Sequence, residues 1–249
     1  MKSSLFRLLC LCAAAAGSRA ADEPAIIAKA RAFIGSDEAL NAVGSVRYEG
    51  WLIAPDPANP GKESRAAMEI IFQHPDRQRI TVRSDKMVEV TGLDGYEGWQ
   101  RVHDPADPSK WRQTLLGPDQ IKRLRANTWE NLSYFRGVES RGGRIEDQGA
   151  AEVEGVACRK IAFSHGAGIV FIRYFEVATG RLLLTETEGG GRIREQGSTV
   201  VNGIRFPSGI VTMTKNAKGE ETRVTITFEK ITVNQPLPAG EFAVPAIGR

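Results

Sequence analysis

The sequence predicts a mainly β protein of the α+β class: a curved, half-open antiparallel β-barrel of about eleven strands with a helical lid. Three observations predict it. From Val43 onward, apolar residues recur with a period of two in run after run. Short turns such as Asp94-Gly95, Asn202-Gly203 and Lys218-Gly219 separate the runs, which is the spacing of an antiparallel meander. Only three stretches carry helical spacing. That is too little helix to cover one face of so large a sheet, so the sheet must curve toward closure, with the helices across its open mouth.

In chain order, Pro24 suits a first helical turn. Ile26, Ala30 and Phe33 follow at helical spacing, and Gly35 ends the segment. Ser36 can cap a second, short helix reaching Leu40. The period then switches to two. VGSVRYEGWLIAP, RAAMEIIFQ, RQRITVRS, KMVEVTGL and GYEGWQRVH read as strands, with a proline-rich loop after the first and an Asp-Gly hairpin before the last. A longer helix is expected after Gly117-Pro118-Asp119, with Ile121, Leu124, Thr128, Leu132 and Phe135 on one face. VACRKIAFS, GIVFIRYFEV, RLLLTETE, GRIREQGSTV, NGIRFPSGIVTMT and TRVTITFEKITV complete the strands. No proline-rich linker divides residues 21–249, so one domain is expected there.

The first 20 residues read as a cleaved signal peptide. Lys2 and Arg7 precede a short apolar run, and Ser18-Arg19-Ala20 ends in a small-x-small pattern. A soluble periplasmic protein is expected, rather than a lipoprotein anchored through Cys10 or Cys12, because the residues before those cysteines are not small. The segment carries three of the 33 basic residues and no acid, so its removal leaves 30 basic against 30 acidic groups. A neutral chain offers no global field for nucleic acid, which is not an expected partner. Cys158 then stands without a disulfide partner and reads as a small core residue.

No catalytic residue, metal site or cofactor is expected. G-x-S-x-G, H-E-x-x-H and C-x-x-C are all missing, the Asp-Pro pairs of HDPADPSK are turn formers, and the glycines at 189–191 lack the strand-to-helix setting of a phosphate loop. The informative stretch is AAMEIIFQHPDRQRITVRS. Met68, Ile70 and Phe72 share one parity before Pro75, and Ile80 and Val82 share one after it. Periodicity alone leaves two readings of this face: a packed core, or the lining of an apolar cavity. His74 ends the face, and Trp129 on the longer helix is placed to turn toward the same space.

Four stretches resemble the LolA-like superfamily of periplasmic lipoprotein and lipid carriers. They are EIIFQHPDRQRI; VTGLDGYEGW; the series VEGVACRKIAF, IRYFEVATGRLLL and VVNGIRFPSGI; and the ending ITVNQPLPAGEFAVP. The resemblance implies a half-open barrel whose concave face holds acyl chains under a lid made by residues 24–34 and 119–135. It selects the cavity reading for Met68, Ile70, Phe72, Ile80, Val82 and Trp129. It implies lipid or acylated lipoprotein as cargo, with an inner-membrane transporter and an outer-membrane acceptor as partners; a lipid-sensing or protein-interaction module without transport is the alternative. In such carriers an arginine before the strand proline bonds the lid shut. His74 occupies that position and becomes the expected lid latch, with a shorter side chain and no guanidinium fork.

Overall fold

The computed structural model describes residues 23–56, 59, 61–166, 168–215 and 219–246; the signal segment expected at residues 1–20 lies outside them. The chain enters through α1 (Ala25–Ile34) and α2 (Asp37–Asn41). The Gly35 N–H closes α1 on the Arg31 carbonyl at 2.9 Å, and the Ser36 hydroxyl caps α2 by accepting the Ala39 N–H at 3.1 Å. Then come β1 (Ser45–Pro55), β2 (Glu63–Gln73), β3 (Arg77–Arg83), β4 (Val88–Asp94), β5 (Glu97–His103) and β6 (Trp111–Leu115). The third helix, α3 (Pro118–Leu132), starts with proline in its first turn, and its Gln120 side chain accepts the Gly117 N–H at 3.0 Å. The remainder is β7 (Arg144–Val153), β8 (Val156–Ser164), β9 (Val170–Glu176), β10 (Leu182–Thr187), β11 (Arg192–Gln196), β12 (Thr199–Val201), β13 (Ile204–Phe206), β14 (Gly209–Lys215) and β15 (Glu221–Val233).

Thirteen strands form one sheet in the order β6-β5-β4-β3-β2-β1-β15-β14-β11-β10-β9-β8-β7, and every neighbouring pair is antiparallel. β6 and β7 are its two edges and do not pair with each other, so the sheet is curved and half open rather than a closed barrel. β12 and β13 make a separate two-stranded ribbon. The expected architecture is therefore present, with a finer division of strands. GRIREQGSTV breaks at Gly197 into β11 and β12, and NGIRFPSGIVTMT breaks at Pro207 into β13 and β14. β6 and β7 were not foreseen. Each has one strand neighbour, β6 has no buried residue and β7 only Val153, so neither shows the alternation that marks a half-buried strand.

The two faces are covered differently. On one face of β3–β5 lies the C-terminal segment. Trp99 donates its indole N–H to the Phe242 carbonyl at 2.9 Å, Arg79 pairs with Glu241 at 2.5 Å, and Val244 packs on Val88, Val90 and Trp99. On the concave face, α3 crosses the first half of the sheet: the Asn127 amide donates to the Gln78 side chain at 2.9 Å, and Arg125 pairs with Asp76 at 2.7 Å. Over the other half, Ile27 and Ala30 of α1 pack with Ile161, Phe163 and Phe175. Cys158 is buried, as expected.

The sheet's pairing is irregular at β1. A bulge interrupts the β1–β15 register between Glu49 and Gly50, and bulges increase local twist and bend. Gly50 is required there, since a Cβ would stand 1.8 Å from the Thr227 carbonyl oxygen. Gly50→Ala is expected to cost about 1–3 kcal/mol, as overpacking does, read as a lower urea midpoint with unchanged slope; an unchanged midpoint would mean that the bulge is not constrained.

Candidate ligand-binding cavity

The concave residues follow a continuous path across the sheet. Ile80 on β3 faces Ile70 on β2, which faces Tyr48 on β1. Beyond the bulge, Phe228 on β15 pairs with Gly50, and the row runs through Ile226 and Ile210 to Glu195. One step along β11, Ile193 faces Thr185, which faces Arg173 on β9. These side chains, together with Met68 and Phe72, line a cavity of about 340 Å³. Its other walls are Asn127, Glu130 and Asn131 of α3, Tyr134 and Phe135 just beyond it, Ile34 of α1, and Arg205-Phe206-Pro207. A second chamber of about 540 Å³ adjoins it and shares the walls at Ile34, Phe135, Leu182, Glu195 and Arg205-Phe206-Pro207.

Met68, Ile70, Phe72 and Ile80 therefore stand together on the cavity wall. Val82 and Trp129 are not on it. Val82 pairs with Met68 and Glu89, one step farther from the helices. Trp129 turns to the other side of α3, where its indole N–H donates to the Arg136 carbonyl at 3.1 Å and the Arg141 guanidinium lies 4.7 Å from its ring.

His74 also sits on that side, its ring edge-on to Trp129 at 5.7 Å. Burial pushes its pKa below the ordinary value, while a hydrogen bond to the Leu132 backbone works in the opposite direction. The imidazole thus touches the end of α3.

A stronger tie holds the same turn, and the sequence reading missed it. α3 ends at Leu132, not Phe135, because Tyr134 and Phe135 take φ of 48° and 73°. Such angles are unfavourable for bulky side chains. They turn both rings inward, where Phe135 stacks edge-on against Phe175 at 4.9 Å. Arg31 of α1, only 2% exposed, clamps this turn. Its guanidinium donates to the Tyr134 carbonyl at 2.9 Å and the Ser133 carbonyl at 3.3 Å, and grips Asp37 at 2.7 and 2.9 Å. The hydrogen bond and charge of Arg31 hold the Asp37 carboxyl below its usual pKa. The sequence signal was a lone arginine on the stripe Ile27, Arg31, Ile34.

A buried ionic group was missed as well. Glu130 of α3 bonds His165 through one oxygen and Arg173 through the other. Burial pushes the Glu130 carboxyl up, but the Arg173 charge and the His165 bond outweigh it and hold the pKa below the ordinary value. The Arg173 guanidinium lies 4.8 Å from the Phe163 ring and 5.0 Å from Phe135, a cation–π setting. The signal here was the inward parity of Arg173 between Phe171 and Phe175. Glu195 is different: it is exposed, and it stands on the wall that the two chambers share. Enclosure by their walls pushes its carboxyl up to about 7, against the pull of Arg173 and Arg181.

No family model matches the chain, and no curated protein matches it. Solved structures do. A DUF1329 family protein from Desulfovibrio piger superposes with a TM-score of 0.56 at 9% identity, over 88% of this chain and 95% of that one. A LolA superfamily protein from Nitrosomonas europaea gives 0.57 at 10% identity, over 88% and 96%. A putative outer membrane lipoprotein-sorting protein domain from Vibrio parahaemolyticus gives 0.53 at 11% identity, over 88% and 94%. The fold is LolA-like.

The raised pKa of Glu195 has a signed consequence. Between the unfolded value of 4.5 and about 7, the folded state holds a proton that the unfolded chain has lost, so stability falls as pH rises through this window. Glu195→Gln is expected to raise the melting temperature relative to the parent at pH 8 and to leave it unchanged at pH 4. Equal differences at both pH values would contradict the shift.

Proposed function

We propose that the protein binds acyl chains of lipids or lipoproteins in its cavity and shuttles them through the periplasm toward the outer membrane. One observation carries the reading: beneath α3 the sheet keeps a hollow whose wall is largely apolar, with Met68, Ile70, Phe72, Ile80, Ile210, Ile226 and Phe228 on it. Burying a methylene yields about 0.8 kcal/mol, so ten methylenes would supply about 8 kcal/mol gross before ordering costs. That is enough to hold a chain and still release it to an acceptor. The LolA-like fold supports the same reading, as does the signal-like segment at residues 1–20.

In this reading α1 and α3 act as the lid. Arg31 is the latch, because it is the side chain that ties α1 to the inward turn after α3. His74 assists from the other side of α3. Cargo entry then exchanges the contacts of Tyr134 and Phe135 for contacts with the chain, a shift between two apolar packings. The function is binding and transfer rather than catalysis. Partners would be the acylated cargo, an inner-membrane donor and an outer-membrane acceptor.

Uptake of a fluorescent fatty-acyl probe tests this. The parent should bind it saturably. Ile80→Asp, at a half-buried wall position, should weaken binding more than about tenfold by placing a charge against the chain, while circular dichroism shows the fold intact. Arg31→Gln should speed uptake by loosening the turn. Saturable binding that Ile80→Asp leaves unchanged would place the probe elsewhere and contradict the reading.

A further inference from the structure

Away from the chambers, one pocket carries charge that its own surroundings do not balance. Tyr96 in the β4–β5 turn, Lys122 and Arg125 of α3, Arg141 beyond the turn that follows α3, and His165 after β8 line a pocket of about 400 Å³. It shares no wall residue with either chamber of the concave face. Behind its wall lies Asp76, buried in the turn between β2 and β3. Arg125 donates to one Asp76 oxygen through two nitrogens, at 2.7 and 3.1 Å, and Arg141 donates to the other oxygen at 2.6 Å. The Arg125 guanidinium also stacks 4.0 Å from the centre of the Tyr96 ring, whose far side is exposed at the pocket's rim.

One carboxylate therefore serves two guanidiniums, and neither pairs with another acid among the described residues. Their side chains are only 22% and 21% exposed, so water screens them incompletely and one positive charge stays in excess. Lys122 adds a second. Its partner Asp119 is 96% exposed, and a solvated pair of this kind holds a lysine weakly. Among the described residues no carboxylate stands on the pocket wall. Nearby, Asp94 is taken by Arg77 at 2.8 Å, and Glu97 and Glu139 are exposed outside the wall. Each guanidinium keeps N–H groups beyond those spent on Asp76. Lys122 sits one turn from Arg125 on the same face of α3, and Arg141 comes from a different segment. Cationic donors that reach one pocket from several directions suit the four oxygens of a phosphate better than the two coplanar oxygens of a carboxylate, which a single guanidinium fork satisfies.

We infer that this pocket binds a phosphate-type tetrahedral oxyanion, gripped between Arg125 and Arg141 with Lys122 closing over it. The site is separate from the concave cavity and does not depend on the acyl-chain reading. Two sources share its chemistry: inorganic phosphate or a small phosphate ester in solution, and the phosphate of a lipid head at a bilayer surface.

The test is titration of the full protein with inorganic phosphate at pH 8 and fixed ionic strength, followed by amide NMR shifts. Saturable shifts are expected around Lys122–Ala126 and Arg141–Gly143, with acetate binding about tenfold more weakly. Arg141→Gln leaves Asp76 paired with Arg125 and removes the excess charge. It should weaken phosphate about tenfold, the worth of one charge-assisted hydrogen bond, and leave uptake of the acyl probe unchanged. Lys122→Gln, at an exposed position where folding is not at stake, should weaken phosphate about threefold. Co-sedimentation with phosphatidylglycerol vesicles that both variants reduce would support the site with a lipid head as source. Vesicles left unbound by a protein that binds phosphate would support it with a soluble phosphate as source. Shifts that do not saturate, that fall elsewhere, that acetate reproduces equally, or that both variants leave unchanged would overturn the inference and leave Arg125, Asp76 and Arg141 as a structural tie between α3 and the β2–β3 turn.

Discussion

The structure depends on one geometric constraint. A thirteen-stranded antiparallel sheet presents more concave surface than three helices can cover. The C-terminal segment covers the opposite face at β3–β5, where Trp99, Arg79 and Val244 fix it. Inside, α3 and α1 lie over separate halves of the curve, and the space between them stays open. Close packing is the rule in protein interiors, so an apolar hollow of this size is kept by the architecture rather than left by poor fit. The clamp of Arg31 on the Ser133 and Tyr134 carbonyls joins the two halves of the cover. The backbone at Tyr134 and Phe135, held at positive φ, is the place where that cover is under strain.

The cavity's polar groups fall into two sets with different consequences. Glu130 pairs with both Arg173 and His165 and ties α3 to β9 and to the residue after β8. Removing one member would leave a buried charge uncompensated, which is far costlier than the pair is stabilising. Glu195, Tyr48 and Tyr134 lack such partners. The first set therefore belongs to the framework.

Much of the fold was legible in the sequence, because a half-buried strand writes its own alternation. The hairpin at Asp94-Gly95, the cap at Ser36 and the stop at Gly35 all followed from local chemistry. The strands that escaped, β6 and β7, are edges with few buried side chains, so they carry no pattern to read. Four residues of the candidate cavity wall were legible for the same reason: Met68, Ile70, Phe72 and Ile80 share a face that the register keeps together. Trp129 was misplaced because a helix has several faces, and its ring is drawn to His74, Arg141 and the Arg136 carbonyl. Val82 has the right parity but lies beyond the cavity's end. The charged residues were missed for another reason. Arg31, Glu130 and Arg173 acquire meaning only through partners distant in sequence, and their local signature is a charge where an apolar residue is due.

The central claim is that the hollow holds a lipid chain. Native mass spectrometry of the protein, purified from a periplasm without detergent and followed by organic extraction, tests it most directly. Added mass that extraction releases as an acylated molecule is the expected result. A single mass equal to the bare polypeptide, from protein that also fails to take up added acyl probe, would contradict it.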